Sequence, residues 1–128
     1  MSKTIKSFMV CGLILLFVLT MYVSYDSDKR NIRKYGSITN GTVLRTQNHR
    51  GGITITYEYY VESKRYEGET MYGDLCVEAV ARIHNGIFPV IYNFNNPKKS
   101  EMLLSKKKFG EFRKSFPDSL IWIANTCK

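Results

Sequence analysis

Residues 8–23 read FMVCGLILLFVLTMYV, a stretch without a single charge. Counted from Ser7 to Tyr25 the run has 19 residues, close to the length a helix needs to cross a bilayer's hydrocarbon. This part of the chain is therefore expected to be an apolar helix, and whatever else folds must come from the residues after it.

Lys3 and Lys6 ahead of the run make a basic leader, so a cleaved export signal is the competing reading. Its exit argues for retention. Cleavage after Ser24 would put Tyr22 two residues earlier, and cleavage after Thr20 would pair it with Val18, where small residues belong. Cys11 sits in no lipoprotein box, since Met9 and Val10 precede it. We expect an uncleaved single-pass anchor in membrane lipid through residues 8–23, with Tyr22 and Tyr25 at the interface. Lys29, Arg30, Arg33 and Lys34 slightly outweigh Lys3 and Lys6, which places the C-terminal side inside by basic count. The short two-lysine leader instead has the form of an export signal, and the expectation is a domain outside the cytoplasm.

Of the 128 residues, roughly 100 remain, enough for one modest domain. Residues 26–36 are polar and read as a linker or helix extension. A small β domain is expected over 37–104 and a basic helical extension over 105–128. Residues 37–47 suit a strand, with Gly41 as a bulge or a point of close approach. Asn48-His49-Arg50-Gly51-Gly52 is a turn cluster. The clearest period follows it: Ile53, Ile55, Tyr57, Tyr59 and Val61 alternate with Thr54, Thr56, Glu58, Tyr60 and Glu62, the pattern of a half-buried strand. A connection at Ser63-Lys64 leads to Tyr66, Gly68, Thr70 and Tyr72 on one side of a second strand, giving an antiparallel hairpin. Asp74 is a fair N-cap for a helix over 75–85 that ends at Gly86. Residues 87–94 return as a strand with Pro89 near its start, Asn95-Asn96-Pro97 turns, and 100–104 offer one more strand. Phe109, Phe112 and Phe116 recur at helical spacing and are expected to pack against the sheet, before a last short helix through Trp122.

The fold class is thus mainly β with minor α: an N-terminal transmembrane helix, a small antiparallel β-barrel or sandwich, and C-terminal helical segments. Residues 86–104, GIFPVIYNFNNPKKSEMLL, resemble the closing motif of a family of small bacterial membrane proteins catalogued only as a domain of unknown function. The family order is a strand opening Gly-x-Val, a tyrosine-rich hairpin, then Gly, a Val-x-Tyr strand and Asn-Pro. It corresponds here to Gly41 and Val43, to Tyr57, Tyr59, Val61, Tyr66 and Gly68, and to Gly86, Val90, Tyr92, Asn96 and Pro97. The resemblance spans roughly residues 36–104 and implies a small β-barrel or sandwich beside a membrane; it implies no particular activity, since the family has none assigned. Many members carry a second transmembrane helix, for which residues 120–124 are far too short.

Chemistry is sparse. Cys76 and Cys127 could form one disulfide in an oxidising compartment or could be small buried hydrophobes. His49 and His84 lie in a turn and near a helix end, which does not make a zinc ligand set, and no metal or cofactor is expected. Asp74, Cys76 and His84 do not establish a thiol nucleophile with its base. Glu58, Glu62, Glu67 and Glu69 are read as cross-strand partners of Lys64 or Arg65. The formal charge is +8; with only Lys3 and Lys6 before Asp26, the remainder carries +6, which favours anionic partners without dictating fold. Lys98, Lys99, Lys106, Lys107, Lys108, Arg113 and Lys114 form the densest cluster, a candidate contact for a polyanion or lipid head groups. Tyr57, Tyr59, Tyr60, Tyr66 and Tyr72 could stack nucleic-acid bases, but nucleic acid is not an expected partner of a membrane-anchored chain. The expected function is non-enzymatic: a membrane-tethered envelope protein acting as a protein-interaction or structural module. The alternatives are an immunity-type protein binding a toxin and a polyanion- or nucleic-acid-binding β domain.

Overall fold

In the computed structural model, which describes residues 3–127, the apolar stretch lies within one helix, α1 (Lys3–Tyr35). Its large side chains from Phe8 to Val23 are 53–75% exposed. A helix apolar on all sides and covered by no protein has the character of a span, and α1 is long and apolar enough to cross a membrane. The helix does not end with the apolar run. The polar residues read as a linker or helix extension continue it, helped by the Asp26–Arg30 pair one turn apart at 3.3 Å and by Arg33 and Lys34 in the last turn, where cations meet the negative end of the helix dipole. By contacts the chain forms two units, one ending at Asn31 and one beginning at Ile32.

The second unit is built on β1 (Gly36–His49), β2 (Gly52–Val61), β3 (Lys64–Tyr72), β4 (Ile87–Asn93) and β5 (Asn96–Met102). The sheet order is β3-β2-β1-β4-β5, with each neighbouring pair antiparallel. Ile53, Ile55, Tyr57 and Tyr59 are buried as their alternation requires, and they meet Val43, Tyr72, Val90 and Met102 in one core. Gly41 is a close-approach point: a Cβ there would lie 3.1 Å from the Glu58 carbonyl oxygen and against the Val90 side chain. The bulge in β1 falls further on, at Leu44, where the pairing to β2 shifts between Val43 and Arg45; such an extra residue bends a strand and increases its twist.

Five antiparallel strands leave the two outer ones, β3 and β5, running in the same direction, and the twisted sheet brings them together into a near-barrel. They are not paired by a backbone ladder. Side-chain hydroxyls bridge them instead. Thr70 Oγ1 accepts from the Met102 amide at 2.9 Å and donates to the Tyr57 hydroxyl, which leaves the Tyr57 proton for Ser100 Oγ at 2.9 Å. The Tyr72 hydroxyl donates to the Met102 carbonyl and accepts from the Leu104 amide at 2.8 Å. Gly68 makes room for this arrangement, because a Cβ there would stand 2.7 Å from both the Tyr57 hydroxyl and Ser100 Oγ.

Several boundaries differ from the sequence reading. Asn48, His49 and Gly52 of the expected turn cluster belong to strands, which leaves Arg50-Gly51 as the β1–β2 turn. The β2–β3 turn is Glu62-Ser63, both at positive φ (51° and 67°), so the turn comes one residue early. Helix α2 (Val77–Ile83) has Cys76 and not Asp74 at its N-cap position, and no side chain caps it. Strand β5 begins at Asn96, which moves the preceding turn to Phe94 and Asn95. Pro89 is the third residue of β4, and the ladder to β5 starts just after it at Val90, so its missing donor falls at that ladder's margin.

Helix α3 (Lys106–Glu111) starts at Ser105, whose Oγ accepts from the Lys108 amide at 3.2 Å. Phe109 and Phe112 are buried in the common core, and Phe116 meets Phe109 edge-on at 5.5 Å, so the aromatic stripe is packing. A single 3-10 turn leads into α4 (Ile121–Thr126). Cys127 then forms a disulfide with Cys76, their Cα atoms 5.3 Å apart, within the span that a disulfide bridges.

Candidate functional site

The basic cluster that is continuous in sequence is divided in space. Lys98 and Lys99 stand on β5 at an open cleft of ≈ 420 Å³, which Glu67, Glu69, Thr56, Gly68 and Ser100 also line. Lys106 and Lys107 line a different cleft, of ≈ 350 Å³, beside Cys127. Lys108 is withdrawn from both faces. It lies 3.6 Å from a Glu101 carboxylate oxygen and 3.7 Å from Glu111, with its side chain only 13% exposed, and 5.4 Å from the centre of the Tyr72 ring. Arg113 takes a left-handed conformation (φ 56°) just past α3, and it and Lys114 are exposed. These seven residues therefore do not make one anion-binding face.

The tyrosines do not make a stacking platform either. Tyr57, Tyr59 and Tyr72 are buried, and Tyr59 is stacked between Tyr66 and Tyr92 at ring separations of 5.6 and 6.4 Å. Tyr60 alone of the five faces solvent to a large extent. Burial drives the Tyr57 hydroxyl well above the ordinary phenol range, outweighing its hydrogen bonds with Ser100 and Thr70. Desolvation does the same to Tyr72. These groups stay protonated and act as structural donors.

The other candidates resolve simply. Arg65 bonds Glu58 across the hairpin at 2.6 Å, the cross-strand pairing expected of that acid, and lies 3.5 Å from Glu67 two residues along its own strand. His49 Nε2 is 2.8 Å from Thr54 Oγ1 across the β1–β2 turn. Cys76 is committed to its disulfide and so offers no nucleophilic thiol to His84. Among the described residues no group of three or more His, Cys, Asp or Glu side chains could hold a metal ion.

Two features were not singled out in the sequence. One is the outer face of the sheet. Register sets Ile38 opposite Ile91, Asn40 opposite Pro89 and Thr42 opposite Ile87; Ile91 is fully covered, whereas Ile38 is 49% and Ile87 67% exposed. Tyr60 (54%) lies on the outer side of β2, and Phe94 (64%) projects from the β4–β5 turn, where its amide donates to Tyr35. The outward positions of the alternation in β1, β2 and β4 were the signal available in the sequence. The second feature is the cleft beside the disulfide, which no sequence pattern marks because residues 74–75, 105–107 and 123–127 meet only in the fold.

No protein-family model, no curated protein and no solved structure matches the chain.

Proposed function

We propose that this chain is a non-enzymatic, single-pass membrane protein of the small bacterial family that its tyrosine hairpin and closing motif resemble, and that its domain works outside the cytoplasm as a protein-interaction module. The observation that carries the reading is the contrast between interior and exterior of the barrel. The interior is filled by tyrosines whose hydroxyls are spent on closing the seam, and the outer face presents Ile38, Tyr60 and Ile87 on a rigid sheet. Exposed apolar side chains grouped on one face characterise surfaces that meet another protein. The Cys76–Cys127 disulfide supports the placement, since such bonds persist in oxidising compartments.

A photo-crosslinking residue at position 87, in the full-length chain in its native membrane, tests the reading. A discrete adduct that disappears when Ile38→Lys is added, while the same crosslinker at Gln47 gives none, is the expected result. Equal, diffuse adducts from both positions would contradict it.

A further inference from the structure

We propose that the Cys76–Cys127 disulfide is an exchange-active redox site whose preferred co-reactant is an anionic thiol. The inference rests on the geometry of the cleft beside it and is independent of the interaction reading above. Both cysteines are only half-buried. Cys127 lines an open cleft of ≈ 350 Å³ with Leu75 and Ile123 on its apolar wall, wide enough to admit a small thiol. Disulfides accessible in this way exchange, whereas sealed ones resist.

Charge then selects the co-reactant. Lys106 and Lys107 line the cleft and Asp74 is the acidic residue among its lining, so a thiolate carrying further negative charge is drawn in. Cys127 and not Cys76 lines the cleft, so access makes Cys127 Sγ the atom attacked, and the Cys76 amide, which donates to that sulfur at 3.1 Å, stabilises it when it leaves as a thiolate in the second step.

The exchange proceeds in two balanced steps. The thiolate sulfur of the co-reactant attacks Cys127 Sγ; the S–S bond breaks, its electron pair leaves on Cys76 Sγ, and that thiolate takes a proton from water. A second co-reactant thiolate attacks the co-reactant sulfur of the mixed disulfide, and Cys127 leaves as a thiolate. Two external thiols are oxidised to one disulfide, and the protein disulfide is reduced to two cysteines. The end of α4 is then untied from α2 and is held through the Arg82 guanidinium over Trp122, 4.3 Å from the ring centre, and the buried Leu120 and Ile123.

The test uses the full chain in detergent micelles without denaturant, treated with glutathione or with cysteamine at equal thiolate concentration and quenched with acid. Intact mass follows reduction and peptide mapping locates the mixed disulfide; the same chain in guanidinium gives the intrinsic rate ratio of the two thiols. The expected result is a glutathione-to-cysteamine ratio several-fold above that of the unfolded chain, with the adduct on Cys127. Lys106→Gln with Lys107→Gln should return the ratio to the unfolded value, and Asp74→Asn should raise it, with Trp122 near-UV dichroism confirming that each variant is folded. Reduction only after unfolding, a ratio equal to that of the unfolded chain, or an adduct on Cys76 would each overturn the proposal.

Discussion

Glu62 and Ser63 both occupy the left-handed region at the β2–β3 turn, a conformation that costs a non-glycine residue roughly 1–2 kcal/mol. A two-residue hairpin requires it, because turns of this hand match the twist of the flanking strands. Ser63→Gly is therefore expected to stabilise the domain by about 0.5 kcal/mol once the extra freedom of glycine in the unfolded chain is subtracted; a urea midpoint shifted upward at constant slope is the check. The seam tyrosines make a second prediction. The native hydroxyl of Tyr57 ionises above its ordinary value of 10.0 because burial disfavours the phenolate, so above that value the unfolded chain releases protons that the native state retains. Stability is thus fully present below about pH 10 and falls as pH rises beyond it. Tyr57→Phe should lower stability at pH 7 by about 1–2 kcal/mol through the Ser100 and Thr70 partners it leaves, and should make the alkaline decline shallower. An equal alkaline slope in variant and parent, measured by chemical unfolding at several pH values, would show that Tyr57 is not among the groups responsible.

Elements were legible to the extent that a period marked them. The alternation from Ile53 to Val61 placed β2 and its buried face, and the helical spacing of Phe109, Phe112 and Phe116 announced aromatic packing. Alternation gives the side to which Tyr57 and Tyr72 point but not the strand they reach, so the hydroxyl seam between β3 and β5 lay beyond it. The turn was placed one residue late because Glu62 still fits the alternation and carries no glycine or asparagine to end it. The lysine run shows the same limit: residues 98–99 and 106–108 are close in sequence but stand on β5 and α3, where Lys108 is paired with Glu101 and Glu111. The pairing of Cys76 with Cys127 depends on α2 and α4 coming together, which no local pattern encodes. Because that bond joins residues 51 apart, replacing both cysteines by alanine should cost about 4 kcal/mol by loop-closure entropy. Thermal unfolding in detergent measures it, and an unchanged midpoint would mean that the bond does not constrain the unfolded chain.

For the whole molecule, the proposed reading sets the apolar helix in a bilayer and the near-barrel, with its α2–α4 disulfide, on the oxidising side of it. On that proposal the helix would be the tether, and the outer face around Ile38, Tyr60 and Ile87 the surface that a partner meets. Placement of the barrel is the hinge of this account, because the interaction reading depends on the compartment. A membrane-impermeant maleimide applied to intact cells carrying Cys11→Ser and Gln47→Cys tests it directly, since Gln47 is exposed near the end of β1. The account predicts labelling at position 47 before lysis. Labelling only after lysis would contradict it.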